Sequence, residues 1–479
     1  MERNSQHDAY GFLSIILYAA GAAVVARLLI LSIKIPSEVS WRAFFRNRRL
    51  EVKPTEYSNV FPPSQRKRLS CESSKDSAVA TLIDLSRHPE LLLRLEEDYR
   101  TASATRFLFS GFCVGDIRAL GNFPNYAELC EVPLPIAIED FNITTAKARP
   151  YRPLRWPYHQ TMAIQRLEPD YWIELESTYE EQIQERKSII KKHGLDVMQA
   201  LPGSELACKE LMEMVIQFLC ARYPKQFILK GNTLINNIRG TEYDVYGNPP
   251  LQILAENVPE DFAIMIRDPK TGTYKFRAGI ICASTGWNLG GKIGKGLAEI
   301  HSPVPDYRSK MQLSMDRFFT KFPASKPVQR GAWGFEVGEH LYTPPRHADL
   351  QALEVQDPQL QPDDLRFRVD WQTLRRLPLS GAIVFNFKAF FTPVTELLDE
   401  PYIPSLCLKV LQESKANLRE YKQVHHTEHV LVPVLQQYEK YQLEKGLIQP
   451  NWETRTLEES PFFRGWQDRH NCCGKGTMT

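Results

Sequence analysis

His301 is the first residue whose type and setting suggest chemistry. It follows the apolar turn Leu297-Ala298-Glu299-Ile300, and Pro303 and Pro305 stiffen the chain beyond it. Proline removes backbone freedom that ligation would otherwise have to freeze, so an imidazole placed here is pre-organised. A neutral histidine nitrogen is a common protein ligand of haem iron; a purely structural histidine is the plainer alternative. A second histidine group, His425-His426-Thr427-Glu428-His429, has the H-x-x-E-H order of the inverted zinc proteases. On a helix, His425 and His429 lie one turn apart and could hold one zinc, with Glu428 as the base of a metallohydrolase. Glu439 and Glu444 sit on the same helical stretch, not on the separate downstream segment that completes such sites. A solvated polar helix end fits the same residues.

Arg366, Arg368, Arg375 and Arg376 cluster around Asp370 and Gln372. On a strand, Arg368, Asp370 and Gln372 share a face, which reads as a polar pocket or as an exposed face with an ion pair. Residues 284–305 hold Gly286, Gly290, Gly291 and Gly294. They form neither a phosphate-loop pattern nor a dinucleotide fingerprint after a strand, so a close-approach loop is expected instead.

The elements that must position these residues are legible in part. Pro169 opens a helical run with Trp172, Leu175, Tyr179, Ile183 and Ile190 near one face, ended by Gly194. A second helix fits residues 204–223, stopped by Pro224. Residues 262–266 and 274–282 flank DPKTG, a hairpin signal. Residues 365–374 and 382–391 are rich in β-branched and aromatic types and read as neighbouring strands around the turn at 378–381. Helical periodicity returns over 396–421 and 432–447, whereas the three prolines of residues 149–157 predict extended chain. Strands and helices in mixed order predict an α+β body.

The 479 residues carry 59 Lys and Arg against 57 Asp and Glu, a balance that gives no reason to expect a nucleic-acid partner. Nine scattered cysteines show no zinc or iron–sulfur spacing and suit reduced thiols. Residues 11–33 form a 23-residue apolar stretch broken by one charge, Arg27, long enough to span a bilayer. Lys34, Arg42, Arg46, Arg48, Arg49 and Lys53 follow it. The positive-inside rule then places the body on the cytosolic side of a single-pass protein. The expected division is an anchor at 1–35, a basic, Ser- and Pro-rich linker at 36–120, a catalytic domain at 121–450 and a tail at 451–479.

Several pieces, taken in order, point to a family. Residues 162–189 contain Trp172, Tyr179 and Arg186, and Glu260-Asp261 precedes the hairpin. Trp287, Lys292 and the run Ile300-His301-Ser302-Pro303-Val304-Pro305 follow, then Arg330-Gly331-Ala332-Trp333. Last come residues 368–378 (RVDWQTLRRLP) and 380–385 (SGAIVF). Over residues 156–446 this series resembles the haem-dependent oxidative N-demethylase family.

The resemblance implies a PAS-like mixed sheet with flanking helices, here joined to one N-terminal transmembrane helix. It implies a haem b monooxygenase that removes a methyl group from a small-molecule amine, using O2 and two electrons and releasing formaldehyde, or that performs a related oxidation of an amine-containing substrate. His301 becomes the expected iron ligand, Lys292, Arg330 and Arg368 the cations for the haem propionates, and Asp370 and Gln372 the substrate-facing residues. Electrons are expected from an external flavin or iron–sulfur reductase, and the anchor suggests the endoplasmic reticulum or another endomembrane. A haem- or ligand-binding sensor without catalysis is the alternative. Two departures bear on the substrate. Ala332 stands where the family has asparagine, and Trp371 where it has arginine; both in the pocket would imply a bulkier, less polar substrate.

Overall fold

In the computed structural model, Leu85 and residues 88–471 are described, apart from Gln160, Arg346, Ala348, Asp349, Gln351 and Ala352. The apolar stretch at 11–33, its basic flank and the linker at 51–80 lie outside the described residues. Among the described residues no helix is long and apolar enough to cross a membrane.

The strands are β1 (Gln165–Arg166), β2 (Met198–Ala200), β3 (Phe227–Lys230), β4 (Thr233–Asn236), β5 (Thr241–Asp244) and β6 (Asp261–Arg267). They continue with β7 (Tyr274–Ile280), β8 (Ser284–Thr285), β9 (Val328–Val337), β10 (Tyr342–Thr343), β11 (Leu365–Arg376) and β12 (Ile383–Pro393). The main sheet has the order β1-β9-β11-β12-β6-β7-β2. Every pairing in it is antiparallel, which corrects the expected mixed sheet. The reason lies in the turns: β6–β7 and β11–β12 close through tight connections, far shorter than the crossover a parallel pair requires. Asp268 caps the first turn by accepting from Lys270 N–H and the Thr271 hydroxyl. Both hairpins lie where the sequence predicts them.

Alternation splits the long strands into two faces. Leu365, Phe367, Val369 and Trp371 of β11 point into a core shared with the helices Ile403–Glu413 and His425–Glu444. The opposite face carries Leu374, Met265, Phe276 and Ile383, covered by Leu297, Tyr307, Met311 and Phe319. Leu92, Phe112, Ile117 and Phe463 are buried as well. The extended segment before β1 is tied to the C-terminal helices by a buried bidentate pair, Arg152 to Glu400, with both N–O distances 2.6 Å.

Two helices differ from the sequence reading. The run predicted from Pro169 begins only at Tyr179, and ends at Gly194 as expected. Upstream, the N–H groups of Glu174, Leu175 and Ser177 go to Glu260, the Tyr223 hydroxyl and the Ala146 carbonyl. Donors spent on tertiary partners cannot close a helical turn. Further on, the predicted helix at 396–421 is divided into Val394–Asp399, Ile403–Glu413 and Ala416–Tyr421, with Pro401 and Pro404 at the first break.

Candidate functional site

The short helix Leu297–Ile300 opens on Gly296, whose N–H donates to the Glu299 carboxylate at 2.9 Å. This one turn buries Leu297 under the sheet and leaves His301 as the capping residue. Nδ1 of His301 lies 2.8 Å from the Leu297 carbonyl oxygen. A carbonyl oxygen only accepts, so Nδ1 carries the proton and Nε2 keeps a bare lone pair. Among the described residues nothing hydrogen-bonds to that lone pair. The imidazole stacks on the buried Tyr307 ring, with centroids 4.9 Å apart and planes 7° from parallel. Burial pushes the imidazole pKa down to about 4, against the Leu297 hydrogen bond, and the charges of Lys292 and Arg330 add to the depression. At neutral pH the ring is therefore uncharged, fixed in tautomer and fixed in direction, which is the condition of a metal ligand.

The two cations beside His301 come from different elements. Lys292, in the glycine-containing loop, lies 3.7 Å from the Trp287 ring centroid. Burial and the Lys295 charge lower its pKa to about 8. Arg330 stands on β9, directly across from Gln372 on β11. Its Nε is buried without a hydrogen-bond partner, and burial with the Arg155 charge lowers its pKa. Neither cation forms an ion pair with a carboxylate among the described residues.

Arg368 is arranged differently from the free cation expected of it. It is buried and ion-paired to Glu336 at 3.1 Å and Asp370 at 3.0 Å, and donates to the Thr285 hydroxyl at 3.0 Å. Its charge is committed within the protein, and its effect is to fix Asp370.

Arg330, Arg368, Asp370 and Gln372 all lie on the sheet face that carries His301's helix. The Asp370 carboxylate is 34% exposed, on a rung between Ala332 and Ala389. Further along β9, a Cβ added to Gly334 would meet nothing within 4 Å. Small residues in the middle of this face leave open space over the sheet. Ala332, one of the two family departures, widens that space. Trp371, the other, is corrected out of the pocket: it stacks on Tyr151 at 3.9 Å on the opposite face.

Sequence reasoning missed a third group. Nζ of Lys422 donates to the Trp333 carbonyl oxygen, at the edge of β9 that, among the described residues, no strand covers beyond Gln329. It lies 4.2 Å from the Trp333 ring and 5.7 Å from Tyr158. Burial pushes its pKa down to about 7; Asp370 supports the charge, while Arg330 and Arg155 oppose it. Arg155 donates to the Thr161 hydroxyl at 2.9 Å. Burial raises Tyr158 to about 12 and raises Tyr421 as well. The only signal in the sequence was basic residues interleaved with aromatic ones, Arg155-Trp156-Pro157-Tyr158 and Tyr421-Lys422.

The zinc reading of His425, Glu428 and His429 is corrected. Glu428 binds Nδ1 of His425 at 3.1 Å, while Nε2 of His429 donates to the Asp357 carbonyl at 2.8 Å. The bond to Asp357 occupies that nitrogen of the imidazole. Among the described residues no three histidine, cysteine or acidic side chains are grouped to hold a metal. A cleft lined by Glu185, Lys192, His193, Tyr342 and His347 contains none of the candidate site residues.

A family model described as haem-dependent oxidative N-demethylase, alpha subunit-like, matches residues 163–432. That span contains His301, Lys292, Arg330, Arg368, Asp370, Gln372 and Lys422, whereas Arg155 and Tyr158 precede it.

Proposed function

Because the chain belongs to the haem-dependent oxidative N-demethylase alpha subunit-like family, a family of oxidoreductases, we propose that His301 Nε2 holds haem b and that the site demethylates an amine. The observation that carries this reading is the Leu297 carbonyl bond to Nδ1, which leaves Nε2 bare on a ring held in place. The residues fit the group in three further respects. Lys292 and Arg330 lack carboxylate partners among the described residues, and the charge of each bears on the imidazole, which suits two propionates. Arg330 Nε is an orphaned buried donor. Gly334 faces open space on the same side of the sheet. Numbered among themselves in chain order, the five long strands lie 2-1-5-4-3 across the sheet, which supports a PAS-like core.

The reaction balances when one N-methylated amine, one O2, two electrons and two protons give the demethylated amine, formaldehyde and water. Bound haem would supply the oxygen activation and the one-electron transfers. The chain's own work is positional. Asp370, held by Arg368, offers a carboxylate to the ammonium form of the substrate, and Gln372 offers an amide beside Arg330. The apolar cover of Leu297, Tyr307 and Met311 limits water over the sheet. No cysteine run in the sequence fits an iron–sulfur centre. The two electrons therefore come, on this reading, from a separate flavin or iron–sulfur reductase, and the family's description as an alpha subunit supports a second component. Residues 11–33 support a tether to the endoplasmic reticulum or another endomembrane, with the body on the cytosolic side.

The test is turnover by the full chain reconstituted with haemin, in air, with an artificial electron donor and a panel of N-methylated amines. The expected result is one formaldehyde per methyl group lost. Stoichiometric haem with no formaldehyde from any amine would make the chain a haem-binding sensor and end the oxidative reading.

A further inference from the structure

Four cations on and beside this face have no carboxylate partner among the described residues: Arg155, Lys292, Arg330 and Lys422. Glu336 and Asp370 share the single guanidinium of Arg368, which leaves one negative charge against the four. Buried charge without a counter-ion is costly, so a fold that keeps four such groups together is one whose ligands bring the anions. The two propionates of a haem can answer two of them. Lys292 and Arg330 are the two that bear on His301. Arg155 and Lys422 remain, and both are coupled to Arg330 rather than to the imidazole.

Their setting is a built one. Nζ of Lys422 is held by the Trp333 carbonyl and enclosed by the Trp333 and Tyr158 rings, themselves 5.6 Å apart. Asp370 is the acidic group whose field reaches both Lys422 and Tyr421, and one-third of its side chain is exposed. Lys422 thus meets the edge of β9 at Trp333, next in the strand to Ala332, whose cross-strand partner is Asp370, and Arg330 stands two residues further along the same strand.

We propose that the substrate is an N-methylated amine that also carries a carboxylate, its amine facing Asp370 and its carboxylate facing Lys422, Arg155 and Arg330. This rests on the haem reading above and narrows it, since a simple methylamine would meet an excess of like charge. Lys422 then acts as a specificity residue. The competing account is that it merely plugs the open edge of β9.

Isothermal titration of the haemin-loaded full chain with two matched pairs separates these. N-methylglycine and dimethylamine differ only by the carboxylate, as do N-methylphenylalanine and N-methylphenethylamine. In at least one pair the carboxylate-bearing member is expected to bind tenfold tighter or more, equal to about 1.4 kcal/mol. Lys422→Gln should abolish that preference, weakening the carboxylate-bearing member while the simple amine, relieved of a like charge, binds no more weakly than before. Asp370→Asn, a second variant, should weaken both members of the pair and keep their ratio. No preference in either pair, or a preference that survives Lys422→Gln in folded protein, overturns the proposal. A chain that takes up no haemin fails at the earlier reading, whereas one that takes it up and shows no preference fails only here.

Discussion

The Leu297 carbonyl oxygen sits 2.8 Å from Nδ1 of His301, and this one bond decides which nitrogen of the ring is free. The two residues are four apart, so the bond is closed by the same helical turn that buries Leu297. The orientation of the imidazole is thereby written into a single turn of local structure, and stacking on Tyr307 holds the ring plane.

This has a consequence for pH. The folded imidazole is depressed to about 4 from an ordinary value of 6.5. The folded state therefore binds fewer protons than the unfolded one between those values. Stability due to the neutral ring is fully present above about 6.5 and is lost as pH falls toward 4. Protons do not compete for Nε2 until the same low range. Haemin titrations followed by absorbance at pH 7, 6 and 5 should give affinities within about threefold of one another, since occupancy of Nε2 by protons stays small there. A tenfold loss by pH 5 would mean an exposed imidazole.

Arg330 and Arg368 look alike in the sequence and should behave oppositely. Arg330→Met removes an unpaired buried charge, so stability should hold or rise while haemin binding weakens by about tenfold, the loss of one charge-assisted contact. Arg368→Met strands Glu336 and Asp370 and should cost about 3 kcal/mol or more in urea unfolding. Equal losses of haemin affinity in the two variants would place Arg368 at the propionates after all.

Gly334 reports on where the open space is. Gly334→Ala should raise stability by roughly 0.5 kcal/mol, the usual gain over glycine in a strand interior. Gly334→Phe should fold with a similar midpoint but fail to take up haemin, because its ring occupies the space over the sheet. Normal haemin uptake by folded Gly334→Phe would move the cavity elsewhere.

The pair Arg152–Glu400, with side chains 3% and 2% exposed, joins the extended segment to the C-terminal helices. Glu400→Gln leaves a buried guanidinium uncompensated and should cost about 3–5 kcal/mol in chemical denaturation. Arg152→Met combined with Glu400→Leu should recover most of that loss. No recovery would show that the pair's packing, not its charge, holds the segment.

The parts of this molecule legible in its sequence are those decided by neighbouring residues. Both long hairpins were readable because turn residues lie between β-rich runs, and the single face shared by Arg368, Asp370 and Gln372 followed from period two. His301 stood out because prolines follow it. The late start of the helix at Tyr179 was not readable, since Glu260, Tyr223 and Ala146 claim the upstream donors from far along the chain. Which face Trp371 takes is also a matter of period two: alternation from Asp370 points it away from the pocket, onto Tyr151. Lys422 was hidden for the plainest reason: its partner Trp333 lies 89 residues away, and no local spacing encodes that contact.

The central claim is tested most directly by titrating haemin into the full chain and into His301→Ala, following the Soret band and the thermal midpoint together. The account predicts one haem per wild-type chain with a histidine-ligated spectrum. In the variant it predicts a changed spectrum and at least tenfold weaker binding, with the midpoint of the haem-free protein little altered. An unchanged spectrum and affinity in folded His301→Ala would contradict it.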